Sequence, residues 1–91
     1  PALDVIGLLQ RKGATVVYHD PYIPTLHTHD NQEMHSVADV MAAVREADCV
    51  VIVTSHSSYD YPAILASARL IFDSRNALGK LGKGNPKVVR L

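Results

Sequence analysis

Cys49-Val50-Val51-Ile52-Val53 is apolar at every position and runs directly into the polar stretch Thr54-Ser55-His56-Ser57-Ser58. A strand with one face in water alternates apolar and polar residues. A strand with no alternation has both faces covered, as in a parallel sheet clad by helices. The pentapeptide therefore predicts a central parallel strand, and the polar run is its exit.

The downstream sequence repeats that arrangement. Asp60 can cap a helix with Pro62 in its first turn and Ile64, Leu65 and Ala68 facing inward. Leu70-Ile71-Phe72 is a second short strand, with Asp73-Ser74-Arg75-Asn76 as its exit. Residues 79–84 are rich in Gly and Lys and predict a polar linker too flexible to pack, before a last edge strand over residues 87–91.

Upstream, Ser36 with Asp39 predicts a capped helix ending near Ala47, with Val37, Val40, Met41 and Val44 as its apolar face. Residues 23–35 have no apolar period and predict an exposed loop. Ala14-Thr15-Val16-Val17-Tyr18 predicts a strand that leaves through His19-Asp20-Pro21. Ala2, Val5, Ile6 and Leu9 recur at helical spacing, so a helix over residues 1–12 ends at Lys12-Gly13. This alternation specifies an α/β fold, a three-layer Rossmann-like parallel sheet with helices on both faces. A doubly wound sheet opens with a strand, whereas this sequence opens with a helix, so the sheet is expected to lack its first strand.

Composition narrows the function. The chain has 91 residues, 47% of them hydrophobic, which supports one core, so residues 1–91 are expected to form one domain. Nine basic residues balance nine acidic ones without clustering, which argues against nucleic acid as a partner. No apolar run can span a bilayer and no signal pattern opens the sequence, so a cytoplasmic location without membrane attachment is expected. A single cysteine, Cys49, excludes an internal disulfide, and its apolar neighbours predict a buried, unreactive thiol.

In open parallel sheets ligands bind beyond the carboxyl ends of the strands. Three polar exits are expected to share that rim: residues 18–22, 54–56 and 73–76. Arg75 offers a planar fork for a diphosphate or carboxylate, or else forms a surface pair with Asp73. Asn76 can hydrogen-bond a ligand beside it or end the strand in a turn. His56 is either a ligand-contacting or proton-transferring group or a hydrogen-bonded structural histidine.

His27, His29 and His35 with Asp30 and Glu33 raise a metal reading, but their irregular spacing without cysteine ligands favours a solvated loop, and no metal is assigned. Gly79-Lys80-Leu81-Gly82-Lys83-Gly84 lacks phosphate-loop spacing, and no Gly-x-Gly-x-x-Gly fingerprint is present.

Taken in order, Pro1-Ala2-Leu3-Asp4-Val5-Ile6, Tyr18-His19-Asp20-Pro21-Tyr22, residues 47–54 and Asp73-Ser74-Arg75-Asn76-Ala77 resemble the C-terminal, UDP-binding domain of the UDP-glucose/GDP-mannose dehydrogenase family. His56-Ser57-Ser58-Tyr59-Asp60-Tyr61 together with the Asp73 motif is most similar to the branch acting on UDP-N-acetylglucosamine. UDP-glucose and UDP-N-acetylmannosamine remain open as substrates.

The resemblance implies an NAD-dependent oxidation of the sugar C6 alcohol to a carboxylate, through a thioester on a catalytic cysteine. In the family that cysteine and the NAD-binding domain precede this segment. The implied partners are a UDP-sugar and the N-terminal NAD-binding domain of the same protein, in a homodimer or larger assembly serving polysaccharide biosynthesis. Arg75 falls on the arginine of the family's Asp-x-Arg motif, which contacts the sugar nucleotide, with Asp73, Asn76 and His56 as companion substrate-binding candidates. Cys49 does not match the catalytic cysteine.

The family's preceding strand and its Phe-Lys-Pro loop have no counterpart before Pro1. The expectation is a fragment of a longer enzyme, inactive alone, whose gap is filled by a partner chain or by further residues of the parent. A different class, a flavodoxin-like regulatory module such as a receiver, needs an acidic cluster after its first strands, where this sequence has Asp20 alone.

Overall fold

The structure, a computed structural model, describes residues 2–90, which fall into two compact units dividing between Val40 and Met41.

The first unit opens with helix α1, Ala2–Arg11, whose Ile6 and Gly7 are buried. The positive φ of Gly13, 93°, ends it in the conformation that glycine adopts without a Cβ clash. Residues 14–18 form no strand. Their β-branched composition suits one, but a strand exists only through its ladder, and no described segment forms a ladder with them.

The expected exposed loop is instead a β-hairpin. β1, Thr25–His27, pairs antiparallel with β2, Glu33–His35, through Leu26 opposite Met34. Leu26 and Met34 are the half-buried centres of two polar–apolar–polar triplets, a period of two too brief to stand out in the sequence. The turn is closed by the buried Thr28, whose N–H donates to the Gln32 carbonyl at 2.9 Å while its Oγ1 accepts the Gln32 N–H at 3.1 Å. Asn31 takes the left-handed conformation there, φ 61°.

The second unit is the α/β core. Helix α2 spans Val40–Glu46, shorter than the sequence predicts, with Val44 buried. Ser36 is not its cap: the Ser36 hydroxyl accepts the Asp20 N–H at 3.1 Å, and the Val37 N–H goes to the Tyr18 carbonyl. A side chain committed to that loop is not available to the helix end.

Strands β3, Val50–Ile52, β4, Ile71–Asp73, and β5, Val88–Arg90, form a parallel sheet in the order β3-β4-β5, flanked by helices in a Rossmann-like arrangement. β4 is the central described strand, not β3. Its Ile71 is fully buried and its Asp73 is 1% exposed. Cys49 lies outside the ladder and is exposed, contrary to the buried thiol expected, because pairing begins at Val50.

Helix α3, Tyr61–Ser67, follows the sequence closely. Asp60 Oδ1 accepts the Ala63 N–H at 3.1 Å, Pro62 lies in the first turn, and Ile64 and Ala68 are buried. Lys87 Nζ donates to the Ala68 carbonyl at 2.9 Å, at the negative end of the helix.

The supposed linker after β4 is packed. Leu78 is 3% exposed, and Gly79–Gly82 form a 3-10 helix with Gly82 buried. The apolar signal here is only two residues, Leu78 and Leu81, set among glycines and lysines.

Candidate functional site

β3, β4 and β5 run parallel, so their carboxyl ends, at Ile52, Asp73 and Arg90, lie at one end of the sheet. Ser74 joins two of them, since its N–H and its hydroxyl both donate to the Ile52 carbonyl, at 3.1 and 2.6 Å. The third expected exit, residues 18–22, belongs to the first unit. There Asp20 Oδ1 accepts the N–H groups of Tyr22 and Ile23, at 2.7 and 3.1 Å, in a local turn.

Asp73 organises the exit of β4. Its Oδ1 accepts the N–H of Arg75 at 3.1 Å and of Ala77 at 2.9 Å, and its Oδ2 accepts the N–H of Leu78 at 3.0 Å. Burial alone raises this carboxyl, but the Leu78, Ala77 and Arg75 amides and the Arg90 charge outweigh it and hold Asp73 below its ordinary value. The surface-pair reading of Asp73 and Arg75 is thus overturned: the carboxylate is interior and holds the Arg75 main chain. Without it the Leu78 amide would be buried unpaired.

Asn76 occupies the left-handed region, φ 53°, and its carbonyl accepts the Gly79 N–H at 3.2 Å. Its backbone makes the turn, which leaves Arg75 on the exposed outer side. Asp73, Ser74, Arg75, Asn76 and Arg90 line one open depression of about 540 Å³.

His56 does not line this depression. It stands on the adjoining exit of β3, where its N–H donates to the Tyr61 hydroxyl, which in turn donates to the His56 carbonyl, both at 3.0 Å. Its Nε2 lies 3.4 Å from Thr54 Oγ1, and its ring packs against Tyr59 with centroids 5.9 Å apart. These contacts fix the loop.

Arg90 is the lining residue that sequence reasoning passed over. It looked like an ordinary polar end to an edge strand. Only the ladder register, which sets Arg90 opposite Asp73, brings it to the site.

A comparison with family profiles matches residues 1–80 to the UDP-glucose/GDP-mannose dehydrogenase family, UDP binding domain. The chain belongs to this family. Neither the curated proteins nor the solved structures yielded a match. As the UDP-binding domain of such a dehydrogenase, the chain carries its β4 exit inside the matched residues, while Arg90 lies beyond them.

On the hairpin of this UDP-binding domain, Glu33 stands between His35 at 2.9 Å and His27 at 3.6 Å, and His29 Nε2 lies 2.8 Å from Asp4 Oδ1. All five side chains are more than half exposed. Among the described residues no group of three or more His, Cys, Asp or Glu is arranged to hold a metal ion. Nor is any described helix long and apolar enough to cross a membrane.

Proposed function

We propose that this domain binds the nucleotide end of a UDP-sugar within an NAD-dependent UDP-sugar 6-dehydrogenase, which oxidises the C6 alcohol of the hexose to the uronic acid. UDP-N-acetylglucosamine is the favoured substrate, ahead of UDP-glucose and UDP-N-acetylmannosamine, on the strength of residues 56–61 together with Asp73-Ser74-Arg75-Asn76.

The observation that carries the reading is Arg75, held by the buried Asp73 turn at the carboxyl end of the central strand and lining an open polar depression. A guanidinium there meets a phosphate bidentately, on a backbone already ordered before the ligand arrives. In this reading Arg75 touches the phosphates, Asp73 and Asn76 hold it in place, and His56 sets the shape of the neighbouring exit.

The chain's own residues do not fit the nicotinamide cofactor, since the glycine fingerprint that cradles a dinucleotide is absent from the sequence. NAD binding and hydride transfer are therefore assigned to an N-terminal domain of the same protein, and this domain alone is inactive. A cytoplasmic enzyme of two or more subunits completes the proposal.

Calorimetric titration of the full-length protein with UDP, and with the three UDP-sugars, tests it. UDP should bind, and Arg75→Ala should weaken it by about tenfold or more, the loss of a charge-assisted pair. Equal affinities in the two proteins would remove Arg75 from the site. Tighter binding of UDP-glucose than of UDP-N-acetylglucosamine would overturn the substrate preference.

A further inference from the structure

We infer that Arg90 is a second phosphate-binding residue of this site, forming with Arg75 a two-pronged clamp for a diphosphate. The inference rests on the nucleotide-binding reading above and adds to it a residue outside the part of the chain that matches the family.

The β4–β5 register pairs Asp73 with Arg90, and cross-strand partners project to the same face of a sheet. Arg90 is thereby delivered to the depression that Arg75 lines from the β4 exit. The β4 exit supplies one guanidinium and the end of β5 the other.

Arg90 is also held in place. Its Nη2 donates to the Gly79 carbonyl, and it lies over Gly82, where a Cβ would come within 2.9 Å of that nitrogen. The short helix Gly79–Gly82 thus supplies an acceptor and a space free of any side chain, and together these orient the guanidinium. A cation whose only task is solubility needs neither.

Asp73 and Arg90 attract each other, but no hydrogen bond ties the Asp73 carboxylate to the guanidinium. The two carboxylate oxygens already accept three backbone amides. A guanidinium carries more N–H groups than one carbonyl can accept, so Arg90 retains donors for a ligand while bonded to Gly79.

One phosphoryl group is satisfied by one fork. A diphosphate, with two phosphoryl groups and a higher charge, is the ligand that rewards a second fork in the same depression. Arg90 therefore determines preference for a nucleoside diphosphate over a monophosphate.

The test is titration of the full-length protein and its Arg75→Ala, Arg90→Ala and Arg90→Lys variants with UDP and UMP. The wild type should prefer UDP. Arg90→Ala should weaken UDP by about tenfold and UMP much less, so that the preference collapses. A purely structural role would weaken both ligands alike, and that result overturns the inference. If Arg90→Ala does not fold, Arg90→Lys decides, because it keeps the charge and loses the fork: a reduced UDP preference supports the clamp and an unchanged one refutes it. Should the wild type fail to bind UDP, the nucleotide-binding reading falls and this inference with it. Wild-type binding that Arg75→Ala weakens and the Arg90 variants do not refutes the clamp alone.

Discussion

Asp73 Oδ2 accepts the N–H of Leu78 at 3.0 Å in the interior at the end of the central strand, where the two residues are only 1% and 3% exposed. A carboxylate is costly to bury, and here three amides offset that cost. The turn that carries Arg75 and the hydrophobic core consequently share one residue. Asp73→Asn retains the shape but turns one acceptor into a donor facing amides. It should cost about 3 kcal/mol of stability, as for lost hydrogen bonds to a charged group, measured by chemical denaturation. A loss below about 1 kcal/mol would show that the turn holds itself without the charge.

Stability should also depend on pH through this carboxyl. Its folded pKa lies below the ordinary 3.8, so the unfolded chain takes up the proton first as pH falls. The contribution of Asp73 is complete above the ordinary value and is lost as pH drops through the depressed one. Denaturation midpoints of wild type and Asp73→Asn should therefore converge in acid and separate by neutral pH. A constant difference at all pH values would contradict the assignment.

Gly82→Ala should destabilise by about 1–3 kcal/mol, the usual range for overpacking. Its Cβ would lie 3.2 Å from both Leu78 Cβ and Val88 Cγ1, besides meeting Arg90. Differential scanning calorimetry would read this as a lower Tm, and an unchanged Tm would mean that the 3-10 turn shifts freely.

At Asn76 the backbone conformation makes the prediction. With φ at 53°, Asn76→Gly should fold with stability close to wild type, whereas Asn76→Ala should lose about 1 kcal/mol, the penalty of the left-handed region. Equal stabilities would show that the turn relaxes to an ordinary conformation.

Lys87→Met keeps the aliphatic stem but removes the donor to the Ala68 carbonyl at the end of α3. The expected loss is about 1 kcal/mol by thermal or chemical unfolding, reduced at high salt in the wild type, since a helix-end charge is screened. No loss would mean that water replaces the ammonium.

Helix α3 with its Asp60 cap, and the buried strands around Val51 and Ile71, were legible because each follows a local rule carried by adjacent residues. The hairpin, the packed helix Gly79–Gly82 and the absence of a ladder at segment 14–18 were not. Leu26 and Met34 gain meaning only opposite each other, and Val16 and Val17 become a strand only with a neighbour to bond. Arg75 was singled out as a candidate from its place after a strand. Arg90 was passed over because only the register brings it to the depression that Arg75 lines.

By itself the sequence determined the α/β class, the polar exits and the candidate Arg75, since propensity, capping and apolar runs act between residues close in the chain. Tertiary structure alone decided that Asp73 is interior, that β4 is the central described strand and that Arg90 reaches the site. Those outcomes depend on which distant backbone groups pair, a choice made by the summed burial and hydrogen bonding of the sheet rather than by any one segment.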